Sequence, residues 1–149
     1  MSDVVDLAAL SGIEQLRRAL GGDATPTGIG KTLGFRMVEL EEGRVVFEGT
    51  PGPHLYNPLG TVHGGYAATL LDSAVGCAVH SRLKPGQTYT TLELKVSYIR
   101  SITGDTGPVR AEGVVVNVGR RAGFAEGKLT DASGKLYATA TSTLIIFDR

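Results

Sequence analysis

The 149-residue sequence has one cysteine, Cys77, and no tryptophan. A single thiol excludes an internal disulfide framework and cannot assemble a thiolate metal site by itself. Long apolar runs are missing too. Charge or glycine interrupts each of them well before the ~18 residues a membrane span needs, and the amino terminus lacks a basic-then-apolar signal layout. These absences set the expectation of a cytoplasmic protein with no membrane partner. Nor does charge of one sign prevail, because 15 basic residues balance 15 acidic ones. That balance offers no polyanion-binding surface, so nucleic acid is not an expected partner. His54 and His80 have no metal-ligand spacing, and neither G-x-x-x-x-G-K nor a strand-linked G-x-G-x-x-G occurs. No metal and no nucleotide cofactor is therefore expected.

What is present is 42% hydrophobic residues against 20% charged ones, enough apolar matter for one packed domain over 1–149. Residues 1–22 read as an amino-terminal helical extension, with an S-x-x-E capping box at Ser11 and Glu14 and a Gly21-Gly22 stop. An irregular Thr25–Gly30 stretch follows. Lys31–Leu40 and Arg44–Thr50 then read as strands of a hairpin around Glu41-Glu42-Gly43, and Pro51–Gly60 as a loop. From Gly64 to Val79 the residues are small or apolar with one charge, Asp72, which predicts a helix buried on most of its circumference. Past Pro85-Gly86 the period is two. Thr90, Leu92, Leu94, Val96 and Tyr98 are expected on a buried face, with Thr91, Glu93, Lys95 and Ser97 opposite. Val109–Val118, Gly123–Thr130 and Leu136–Phe147 complete the strands. The connections are too short for parallel crossovers, so the expected α+β architecture is one curved antiparallel sheet wrapped around a long central helix.

One segment, Asn57 to Asp72, concentrates the chemistry. Gly64 and Gly65 stand where the helix begins, and its first N–H groups lack intrahelical partners at the positive end of the dipole. An oxyanion could approach closely there. A tight turn or close packing is the plainer reason for paired glycines. Asp72 would be costly to bury ionised without partners, and desolvation would raise its pKa toward a general base's range. A solvent-facing aspartate on the helix's wet stripe is the plainer alternative. The two positions are eight residues apart, about 12 Å along a helix axis. One chain cannot bring both to one reacting carbon, whereas a second helix packed antiparallel in a two-fold dimer can.

The pattern N-P-L-G-T-V-H-G-G-Y-A-A-T-L-L-D resembles the signature of hotdog-fold acyl-CoA thioesterases of the phenylacetyl-CoA (PaaI-like) and 4-hydroxybenzoyl-CoA types. The resemblance extends in element order from about Lys31 to Phe147. It implies hydrolysis of an aryl- or fatty-acyl-CoA, with CoA entering only as part of the substrate. It also implies sheets paired edge to edge in a homodimer, usually two dimers in a homotetramer, and two-subunit active sites. Carried over by position, Gly64 would donate its N–H to the thioester oxygen, Asn57 would position substrate or water, and His63 would brace the loop. Asp72 from the partner would activate water or attack directly, with the general-base role favoured. Thr91, with Thr90 as its neighbouring competitor, would supply a hydroxyl that orients the water. Gly65 is a further substrate-binding candidate. So are Arg120 and Arg121, at a turn that resembles the family's glycine-arginine turn, where basic residues meet CoA phosphates; a solvated hairpin tip explains them equally well.

Lys95 and Arg100 are reserve candidates for the same path. Tyr56, Leu55, Tyr66, Leu70 and Val75 are candidate acyl-pocket residues, though core packing explains most apolar helix positions. Cys77 reads as a small core residue. Two other functions fit the scaffold: a hydratase or dehydratase, and a non-catalytic acyl-CoA sensor. The acid at thioesterase spacing after His-Gly-Gly argues against the first. The short amino-terminal segment and the presence of Asp72 and Asn57 argue against the second.

Overall fold

The computed structural model describes residues 6–21 and 26–149. Met1–Val5, Gly22 and Thr25, which fall in the predicted amino-terminal helix and the stretch after it, lie outside the described residues. The elements are α1 (Gly12–Gly21), α2 (Gly28–Leu33), β1 (Phe35–Glu41), β2 (Arg44–Gly49), α3 (Gly64–His80), β3 (Gln87–Tyr98), β4 (Val109–Val118), β5 (Ala122–Asp131) and β6 (Leu136–Asp148). One sheet of order β1-β2-β4-β5-β6-β3 contains all six strands, and every pairing is antiparallel. The α+β architecture expected from the sequence is the one observed, with α3 lying across the concave face.

Why α3 lies so close follows from alternation in the strands beneath it. The inward positions Gly123, Ala125, Gly127 and Leu129 of β5 are all buried, as are Val109, Ala111 and Gly113 of β4. A methyl group on Gly113 would stand 2.4 Å from the Ala74 carbonyl, so helix and sheet touch backbone to backbone there. Around that contact, Leu70, Leu71, Val75 and Val79 are fully enclosed. Each such side chain contributes roughly 1.5–3 kcal/mol of hydrophobic stabilisation.

Two local expectations change. Lys31–Leu33 is the end of α2, closed by Gly34 at φ 71°, so the first strand begins at Phe35 and the stretch after Pro26 is not wholly irregular. In β3 the alternation is broken by a bulge between Thr91 and Glu93. The extra residue reverses the phase: Leu92 is 65% exposed, and Thr91 is half-buried where Thr90 is exposed. The continuous apolar face expected through Thr90, Leu92 and Leu94 is therefore two shorter faces, one ending at Thr91 and one resuming at Leu94. At the amino end, Glu14 Oε2 accepts hydrogen bonds from the Ser11 N–H at 2.8 Å and the Ser11 hydroxyl at 2.6 Å. These bonds hold the Glu14 carboxyl below its ordinary range.

Candidate active site

The loop before α3 is held by its own backbone. The Asn57 N–H donates to Thr61 O at 2.7 Å, the Val62 N–H to Ile102 O at 2.9 Å and the His63 N–H to Leu55 O at 2.8 Å. Asn57 turns its side chain into this loop, with Oδ1 accepting from the Leu59 N–H at 2.9 Å and Nδ2 donating to Thr61 Oγ1 at 3.1 Å. His63 is the N-cap of α3, and its Nδ1 accepts the Gly65 N–H at 2.8 Å. Accepting at Nδ1 requires the neutral ring with its proton on Nε2. The Gly65 N–H is thus occupied, while none of the described hydrogen bonds uses the N–H of Gly64.

Tyr98, at the end of β3, covers the other side of Gly64. Its hydroxyl donates to the Gly64 carbonyl at 2.8 Å, and a methyl group on Gly64 would come 3.0 Å from its ring. Asn57, His63, Gly64, Tyr98 and Arg100 share the lining of one cavity of about 310 Å³. The sequence alone did not single out Tyr98. It read as one more apolar strand position, and only the fold carries the strand's end back over the helix start.

Two turns along α3, Asp72 is half-buried, and its Oδ1 accepts a hydrogen bond from Thr91 Oγ1 at 2.9 Å. The β3 bulge makes this contact possible by placing Thr91 inward. Tyr89, two residues earlier on the same face, lies over Gly76, with its hydroxyl 3.1 Å from where a Cβ would be. Burial chiefly, then the charges of Cys77 and Asp72, push the Tyr89 phenol upward. Burial and then the Asp72 charge push the Cys77 thiol up to about 12, which makes it a poor nucleophile at neutral pH.

Arg120 and Arg121 stand at the β4–β5 turn beside Gln87, Phe147 and Asp148, around a separate cavity of about 410 Å³. The turn lies by the carboxyl end of α3, since a methyl group on Gly123 would meet Val79 at 2.7 Å. Within one chain, then, the structure brings Asp72 together with Thr91, and Gly64 with His63, Asn57 and Tyr98, as two separate groups. Tyr66, Leu70 and Val75 are closed into the core, so these acyl-pocket candidates are packing residues.

Residues 59–138, just over half of the chain, match the family model described as the thioesterase superfamily. The chain belongs to the thioesterase superfamily. Its fold is the hotdog fold, and it is a thioester hydrolase. It is 24% identical over 119 residues to the 1,4-dihydroxy-2-naphthoyl-CoA hydrolase of Listeria monocytogenes, a match covering 80% of this chain and 95% of that one. Among solved structures it is similar to a mutant of the phenylacetic acid degradation protein PaaI from Thermus thermophilus. There the TM-score is 0.70 at 30% identity, covering 78% of this chain and 96% of that one. A Streptococcus mutans protein bound to acetyl CoA gives a TM-score of 0.69 at 28% identity, covering 77% of this chain and 90% of that one. Among the described residues of this thioesterase, no helix is long and apolar enough to cross a membrane.

Proposed function

We propose that this thioesterase hydrolyses an aryl- or fatty-acyl-CoA to the free acid and CoA, in the cytoplasm, at a site shared by two subunits. The observation that carries this reading is Asp72 held by Thr91 on α3, eight residues beyond a Gly64 whose N–H none of the described hydrogen bonds uses. The Gly64 N–H, at the positive end of a 17-residue helix, donates to the thioester oxygen as negative charge gathers on it. Asp72 takes a proton from water as that water attacks the carbonyl carbon. The tetrahedral intermediate then expels the CoA thiolate and leaves the acid. Thr91 fixes one carboxylate oxygen and leaves the other for the water.

Gly64 and Asp72 are separated by about 12 Å of helix, so the donor and the base of one site come from different copies. Two features favour that dimer. Strand β3 is an edge of the sheet, able to pair with its own copy and continue one sheet across the two-fold axis. The least buried line of α3 also runs through Gly65, Ala68, Thr69 and Asp72, short side chains that let a second α3 approach. The antiparallel arrangement brings the second copy's β4–β5 turn toward this copy's Gly64, within range for Arg120 and Arg121 to meet CoA phosphates. Two such dimers form the homotetramer.

Thiol release from a panel of aryl and fatty acyl-CoA thioesters tests the reading, with wild type beside Asp72→Asn. Hydrolysis by wild type that falls a hundredfold or more in the variant is expected, since a positioned base contributes about 10²–10⁴. Undiminished activity in Asp72→Asn removes the assignment.

A further inference from the structure

The peptide between Gly64 and Gly65 is held at both ends by side chains. The Tyr98 hydroxyl donates to its oxygen at 2.8 Å, and His63 Nδ1 accepts its N–H at 2.8 Å. The two bonds form one chain, hydroxyl to carbonyl and amide to imidazole, in which each polarises the other. Gly64 has no side chain of its own to limit its backbone. The Tyr98 ring fills that space instead, 3.0 Å from where a Cβ would be.

Tyr98 is itself fixed by what surrounds it in the chain. Its pairing partner on β6, Ala138, is buried, so Tyr98 points to the same concave face and leans over the start of α3. Just beyond it the N–H groups of Ile99 and Arg100 both donate to the Tyr137 carbonyl, at 2.8 and 3.2 Å, and end the strand. The chain that follows is tied to the helix-start loop twice more. The Val62 N–H donates to Ile102 O at 2.9 Å, and the Gly104 N–H donates to the Tyr56 hydroxyl at 2.8 Å. On the near side of Gly64, His63 is fixed through its own N–H on Leu55 O. The Gly64 N–H thus lies between a fixed residue and a fixed peptide. With 56% of Tyr98 exposed, core packing does not account for its position.

We propose that Tyr98 is a positioning residue of this thioesterase: by clamping the Gly64–Gly65 peptide, it aims the Gly64 N–H at the thioester oxygen. The proposal rests on the reading of Gly64 as the donor to that oxygen. Such a donor works through a direction fixed before the reaction begins, and a glycine left to itself would lose that direction. Glycine at 64 makes room for the ring, and ring and hydroxyl together return the rigidity that glycine gives up. The clamp comes from 34 positions further along the chain.

Tyr98→Phe tests this, because it keeps the ring and removes the hydroxyl. With the acyl-CoA that wild type hydrolyses fastest, kcat should fall about tenfold while KM stays within about twofold, since the loss falls on the transition state. In the free protein, hydrogen exchange at the Gly65 amide should speed up about fivefold, the weight of one hydrogen bond. A kcat equal to wild type, or a change confined to KM, overturns the proposal. So does a lowered kcat with exchange at Gly65 unchanged, which would put the hydroxyl to work on the substrate instead. Wild type that hydrolyses no thioester, with exchange at Gly65 still faster in Tyr98→Phe, keeps the clamp and removes the reading of Gly64 as donor.

Discussion

The Thr91 hydroxyl on β3 donates to Asp72 on α3 across 2.9 Å, and it does so because a single extra residue at Leu92 reverses the strand's alternation. A hydrogen bond to a charged group is worth about 1.5–3 kcal/mol. Replacing Thr91 by valine keeps the shape and removes the donor, so kcat should fall about tenfold to a hundredfold with KM little changed. Thr91→Ser, which restores the hydroxyl, should recover most of the rate. Steady-state kinetics on the three proteins checks this, and equal kcat in all three would show that the bond does no catalytic work.

His63 is placed to cap α3, with Nδ1 on the Gly65 N–H. An uncapped N-terminus costs about 1 kcal/mol, so His63→Ala should lower stability by about that much in urea titration. Asn or Ser at 63, which caps by a different chemistry, should restore both stability and hydrolysis. A general base at this position would behave otherwise, because neither replacement can take up a proton at neutral pH.

The chemistry was legible in the sequence where it lay on one continuous segment. Asp72 stood out because one charge sits in an otherwise apolar helix, and His63-Gly64-Gly65 because small residues mark a helix start. What escaped depends on segments meeting from afar. Thr91 was named through the family resemblance with Thr90 as its competitor, but the bulge that turns it toward Asp72 is not announced by composition. Tyr98 reaches Gly64 from 34 positions further along the chain. A cavity of about 460 Å³ between α1, α2, α3, β1 and β2 draws on five separate elements, so no window of sequence contains it. Helix α2 was missed because its glycines and the preceding proline read as loop, whereas packing on β1 overrides that weak propensity.

His80 is half-buried beside Tyr89 and Gln15. That burial, and then the charge of Arg149, hold its pKa below the ordinary 6.5. The unfolded chain therefore binds the proton more readily, and stability rises with pH between the lowered value and 6.5. As pH falls below about 6.5 the wild type should lose melting temperature faster than His80→Gln, which cannot charge. Above pH 7 the gap between the two curves should be constant. Parallel curves through the acid range would mean that His80 takes up its proton as easily folded as unfolded.

Close contact between α3 and β4 depends on the missing side chain of Gly113. Backbone cannot move aside as a flexible side chain can, so Gly113→Ala should cost at least the 1–3 kcal/mol typical of overpacking. Denaturant unfolding measures this directly. Gly134→Ala is not a suitable control, since φ there is 84° and any side chain is strained. Val116→Thr, at a position 61% exposed on β4, should stay within about 0.5 kcal/mol of wild type.

The proposed two-subunit site makes its sharpest claim through complementation. Gly64 is the first residue of α3, where proline is well tolerated and lacks only the N–H that matters here. His63 already has φ −60° and ψ 134°, the extended backbone that a following proline prefers. The ring must displace Tyr98, which is 56% exposed and gives up its hydrogen bond to the Gly64 carbonyl to move aside. Gly64→Pro should therefore fold and be inactive for want of the oxyanion donor, as Asp72→Asn should be inactive for want of the base. In a mixed dimer one of the two sites regains both groups. Random exchange of equal amounts should return about a quarter of wild-type activity. If donor and base instead served one site within one chain, the mixture would remain as inactive as its components, and thiol release after unfolding and refolding the two variants together distinguishes the outcomes.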